Sequence, residues 1–114
     1  MTTRNSRNIK DEEKILITSI LELANSVERI TSIPEVVYDL DDGGMGSIKF
    51  TNNPAKVYGK DLLQVSYFDS ETTPVIITLT VDKNDDLFEL EFWKVNFEKL
   101  LRYPKANDIE IIAD

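Results

Sequence analysis

Leu87–Phe97 reads LFELEFWKVNF, and the phase of its apolar residues decides the fold class. Phe88, Leu90 and Phe92 recur at period two with Glu89 and Glu91 between them, the pattern of a strand that buries one face and wets the other. After Phe92 the apolar positions become Trp93, Val95 and Phe97, one step out of phase. The strand is therefore expected to bulge near Phe92 or to pass from one covered face to another. It holds the only tryptophan and three of the five phenylalanines, so it reads as a central core strand. A buried Trp93 would cost about 3–5 kcal/mol to delete, whereas an exposed one would be a binding hot spot instead.

The sequence before this stretch supplies its neighbours. Pro74–Val81 sets Val75, Ile77, Leu79 and Val81 against Ile76, Thr78 and Thr80, and Leu62–Phe68 places Leu63, Val65 and Tyr67 on one face. The linkers Asp69–Thr73 and Lys83–Asp86 are short, which predicts an antiparallel meander. Asp82–Asp86 matches the D-x-N-x-D opening of a calcium loop, but Leu87 stands at the glycine position and Trp93 at the final glutamate position, so a polar hairpin turn is expected there. Thr51–Lys60, with Pro54 and Gly59, reads as a loop.

Further back, Glu35–Leu40 alternates Val36, Tyr38 and Leu40 with Val37 and Asp39, and Gly46–Phe50 reads as the returning arm of a hairpin. Between them Gly43, Gly44 and Gly46 supply three of the four glycines in the chain. Such clustering marks positive φ or close backbone approach, and exposed amides there could serve a ligand. It is not a phosphate loop, because Lys49 falls in a predicted strand and no helix follows. Met45 either faces solvent as a soft contact or folds back into the core.

At the amino-terminal side, Leu16, Ile20, Leu23 and Val27 recur at helical spacing, with Ile15, Ile17 and Leu21 widening the stripe, over about Lys10–Ser26. Asp11, Glu12 and Glu13 suit the positive end of that helix, and Asn25–Ser26 its exit. Residues 1–9 read as a polar, mobile arm, and Val27–Pro34 as a connector. A short helical turn is expected at Glu98–Arg102, ended by Pro104, and an edge strand at Ile109–Ile112. The fold class is α+β: an amino-terminal helix on a mostly antiparallel sheet of about five strands.

At 114 residues and 41% hydrophobic content one domain, 1–114, with one core is expected. There is no cysteine and no histidine, which excludes disulfides, thiolate or imidazole metal sites, and Ser-His-Asp or Cys-His catalysis. No cofactor and no metal is expected. The formal charge of −8, from 21 acidic and 13 basic residues, argues against nucleic acid and anionic membrane and favours a basic partner. No signal-like apolar core opens the chain, and no run nears the roughly 18 apolar residues of a membrane span, so a cytoplasmic location is the default.

The helix with its acidic start, Asp42–Ser47, the hairpin ending in Asp82, and above all Leu87–Phe97 resemble a small, uncharacterised bacterial domain family. The resemblance spans about Arg7–Pro104. The family's motifs are GGMGS and F-E-L-D-x-W-K-V-D-F, and here Glu91 and Asn96 stand at the two aspartate positions, which weakens a chemical role for those carboxylates. In size and acidity the family is similar to immunity proteins that neutralise toxins of bacterial competition. Two functions follow. The first is a binding protein that blocks a basic partner, steered by Asp39, Asp41, Asp42, Glu89 and Glu91. The second is a small ligand-binding domain or enzyme built on Gly43, Gly44, Met45 and Gly46 with the neighbouring carboxylates. A deep polar pocket holding several acids would favour the second, and a flat acidic surface the first.

Overall fold

A computed structural model describes residues 3–70 and 73–112. The architecture is α+β, with one helix against a single antiparallel sheet of seven strands rather than about five. The strands are β1 (Thr3–Asn8), β2 (Val36–Leu40), β3 (Ile48–Lys49), β4 (Tyr58–Ser70), β5 (Thr73–Asp82), β6 (Leu87–Lys94) and β7 (Glu110–Ile111), in the spatial order β1-β2-β3-β6-β5-β4-β7. The expected meander is β4–β5–β6, and the hairpin of β2 and β3 joins it through β6. The additional strand is β1. Its polar sequence gave no apolar alternation, yet Arg7 pairs with Val37 and Asn8 with Val36.

The helix α1 (Asp11–Leu23) turns Leu16, Ile17, Ile20 and Leu21 onto the sheet. It ends three residues earlier than the stripe suggested, because Asn25 adopts φ 55° and the Ser26 amide closes back on Leu21 O at 2.9 Å. Val27 then opens a 3-10 stretch, Val27–Ser32, and is exposed. Against α1 the sheet presents Val37, Ile48, Val65, Tyr67, Val75, Ile77, Leu79, Leu90 and Phe92. In β2 the core side is that of Val37 and Asp39; Val36, Tyr38 and Leu40 point the other way.

The phase break in β6 has a different cause from the one expected. No register slip occurs near Phe92: Phe92 pairs with Ile77, Trp93 with Ile76 and Lys94 with Val75 in unbroken order. The buried series continues as Leu90, Phe92 and Lys94, and Trp93 points outward, 46% exposed. The irregularity lies at the other end of the strand, between Leu79↔Leu90 and Val81↔Leu87. It lets Leu87 and Leu90 both join the main core cluster while Phe88, also buried, packs apart from it with Lys49 Nζ 4.7 Å from its ring centroid.

The chain after β6 forms no helix at Glu98–Arg102. It is tied down by side chains instead. Lys94 Nζ meets Asp69 Oδ2 at 2.6 Å, with 1% and 0% of the two side chains exposed, and donates to Lys99 O at 2.9 Å. Asp69 in turn accepts the Leu101 amide at 2.8 Å and the Arg102 amide at 2.7 Å. Burial alone would raise the Asp69 carboxyl, but the bonds from Lys94, Leu101 and Arg102 hold it below its ordinary value. Tyr103 packs its ring against Phe92, tilted by 42° with centroids 5.5 Å apart, and Ile109 enters the core before β7 pairs with β4.

Candidate functional site

The glycine turn between β2 and β3 closes on itself and on the end of the chain. Asp42 accepts the Met45 amide at 3.0 Å and the Ser47 amide at 2.9 Å, an Asx-type arrangement that the D-x-x-x-x-S spacing permits. Gly43, Gly44 and Gly46 take φ of 76°, 83° and 101°, the left-handed region the cluster implied. The close approach comes from the chain itself: a Cβ on Gly44 would lie 3.0 Å from Lys99 Cβ, and Gly44 O accepts the Leu100 amide at 3.2 Å. Met45 is buried, and its Sδ lies 3.5 Å from the Lys94 amide. Ser47 Oγ accepts the Phe92 amide at 2.9 Å. Because β3 is only two residues long, these side chains satisfy the β6 backbone where the ladder has ended.

A shallow cleft of about 280 Å³ borders this turn, lined by Asp39, Asp41, Asp42, Gly44, Gly46 and Ser47. Asp39 and Asp42 serve the fold. Arg7 donates to Asp39 at 3.0 and 2.8 Å and to Glu13 at 2.8 and 2.7 Å, tying β1, β2 and α1 together; the Glu13 and Asp39 bonds raise the Arg7 pKa and keep it charged. Glu13 also caps α1 through the Lys10 amide at 2.9 Å. Asp82 is likewise occupied: it is buried and accepts the Asn84 amide at 2.7 Å and the Asp86 amide at 3.1 Å, which makes the calcium-like run a hairpin turn.

Glu89 and Glu91 sit elsewhere, on the sheet face opposite α1. Following the pairing outward, Lys49 lies beside Glu89, Thr78 beside Glu91, and Gln64 beyond Thr78, donating to its hydroxyl at 3.0 Å. Asp61 joins the two glutamates from β4, and Tyr58 OH donates to it at 2.8 Å. Among the described residues no ion pair reaches Glu89, Glu91 or Asp61. Partial burial, with the hydrogen bond and charge of Glu89 and the charge of Asp61, pushes Glu91 up to about 7. The next rows of the same face are apolar. Trp93 lies beside Ile76, and Phe68 beside Pro74, whose carbonyl meets the Val95 amide. Phe97 turns its ring edge-on to Trp93, centroids 6.1 Å apart.

A family model for a domain of unknown function, DUF6984, matches residues 6–104. The chain belongs to the DUF6984 family. No curated protein and no solved structure matches it. The DUF6984 match takes in the glycine turn, the carboxylate strip and the segment pinned by Asp69.

The residues singled out from the DUF6984 sequence thus divide. Asp39, Asp41, Asp42, Gly44 and Gly46 line one cleft, with Met45 turned inward, while Glu89 and Glu91 belong to the opposite face. Sequence reading missed Asp61 and Phe68 as their companions. Phe68 falls in phase with Gln64 and Ser66, on the side of β4 away from Val65 and Tyr67, so strict alternation could have placed it.

Proposed function

We propose that this DUF6984 chain is a binding protein that blocks a basic protein partner, in the way an immunity protein neutralises a toxin, and that it meets the partner with the uncovered face of its sheet. One observation carries the reading: Glu89, Glu91 and Asp61 crowd like charges on that face with no cation of the described chain paired to them. A lysine or arginine from outside would relieve that repulsion and keep Glu91 ionised. The likeness of the GGMGS and WKVNF motifs to a family of small acidic domains, and the charge of −8, point the same way. A ligand site at the glycine turn has less to draw on, because Asp39 and Asp42 are already bonded within the fold.

Affinity capture from the native cell, with the product of the neighbouring gene identified, supplies the partner. Stopped-flow association at two salt concentrations then tests the mechanism. The on-rate should fall as salt rises, and Glu89→Gln with Glu91→Gln should lower it several-fold and flatten that dependence. An on-rate indifferent to both changes rejects the reading.

A further inference from the structure

Beside the carboxylates the same face bears an apolar patch that no element of the described chain covers. Trp93 is two residues along β6 from Glu91, and Phe68, Val95 and Phe97 around it are all exposed, Phe97 by 68%. Single exposed apolar residues need no explanation, but a contiguous group with two rings in contact marks an interaction surface. Phe97 adds a second observation. Its φ of 62° lies in the left-handed region, which bulky side chains avoid and glycine or asparagine enters freely. A strained backbone that holds a ring out in water makes sense when the ring is used for contact.

We propose that Trp93 and Phe97 anchor a docking surface for a basic protein, which seats an apolar side chain on the aromatic pair and brings lysine or arginine against Glu91, Glu89 and Asp61. The proposal rests on the reading of the chain as a binder of a basic partner, and adds where and with what the contact is made. The occupant follows from charge. A second copy would bring another −8 against this strip, whereas a basic surface complements it. Tryptophan at the centre and carboxylates at the rim match the division of a protein interface into a desolvated anchor and a polar border.

Trp93 is the only tryptophan, so its emission reports directly on this patch. The probe is a short synthetic peptide of alternating leucine and lysine, with polylysine of equal length as comparison, titrated at low and high salt. The alternating peptide should shift Trp93 emission to the blue and bind less tightly at high salt. Phe97→Gly should weaken it about ten-fold while the thermal midpoint holds or rises, since glycine releases the left-handed strain. Binding equal to that of polylysine, with no emission shift and no effect of Phe97→Gly, overturns the aromatic anchor and leaves the acidic reading standing. An emission shift indifferent to salt and to Glu89→Gln with Glu91→Gln overturns the basic partner. A concentration-dependent shift without peptide, with dimers in sedimentation, makes the occupant a second copy and overturns the proposal, as does an absence of binding.

Discussion

Lys94→Met tests the account of β6 most directly. Lys94 occupies the core-facing position that alternation from Leu90 and Phe92 assigns to an apolar residue, and methionine has nearly its length without its charge, so packing volume is kept. The variant loses the 2.6 Å contact to Asp69 and the 2.9 Å bond to Lys99 O. Removing one partner of a buried ion pair costs about 3–5 kcal/mol because the other charge is left uncompensated. Asp69 keeps the amides of Leu101 and Arg102, which places the loss near about 3 kcal/mol, a large share of the roughly 5–15 kcal/mol of an ordinary domain. The loss depends on pH. The native Asp69 carboxyl is held below its ordinary 3.8, so its contribution is full above that value and disappears as pH falls through the lowered one. In the variant, burial without Lys94 raises the carboxyl, and stability declines as pH rises through it. The gap between the two proteins should therefore narrow in acid. Urea unfolding followed by circular dichroism at about pH 3 and about pH 7 measures it. A loss below about 1 kcal/mol at neutral pH, or the same loss at both, refutes the reasoning.

Trp93→Ala should cost less than about 1 kcal/mol, since the ring is exposed; a loss of about 3 kcal/mol in thermal unfolding would return it to the core. Gly44→Val should destabilise more than Gly43→Val: both incur about 1–2 kcal/mol of left-handed strain, but a Cβ on Gly44 meets Lys99 at 3.0 Å and one on Gly43 meets nothing within 4 Å. Equal melting temperatures would contradict the close approach. Glu91 rises from 4.5 to about 7 on folding, so it favours the folded state when protonated and withdraws that support as pH climbs between those values. Glu91→Gln should remove this decline and be the more stable protein at about pH 8, by about 1 kcal/mol after allowance for solvent screening; parallel melts would refute the shift.

The meander, the hairpin and the helix were legible because each follows one period. The glycine run announced its positive φ because few other residues accept it. Other features were not legible. β1 is held by Arg7 reaching Asp39 and Glu13, a contact across elements that no local pattern encodes. Lys94 interrupts the apolar series of Leu90 and Phe92 because an isolated lysine belongs in water; only Asp69, far away in sequence, reverses that preference. A single hidden ion pair thus carries the buried series of β6 on through Lys94, where the run of Trp93, Val95 and Phe97 suggests a change of phase. The candidate docking face was hidden with it, since the sequence leaves Trp93 either buried or exposed. The carboxylates of the glycine turn were legible as a cluster, but their bonds to Arg7 and to the turn's own amides were not.

The short β3 also divides the sheet in time. Everything before it, α1 with β1 and β2, leaves the ribosome with the far edge of Ile48–Lys49 open, and its neighbour β6 belongs to a later part of the chain: Ser47 Oγ and the Phe92 amide it accepts are 45 residues apart. The edge of β3 therefore stays unpaired until the meander has been synthesised and presents β6. The two parts then meet along a two-residue seam that Ser47 and Met45 fasten with side chains. During that interval any other strand offered to β3, including one from a neighbouring nascent copy, competes for the same edge, which makes this seam the place where synthesis rate and exchange of strands between copies are set against each other.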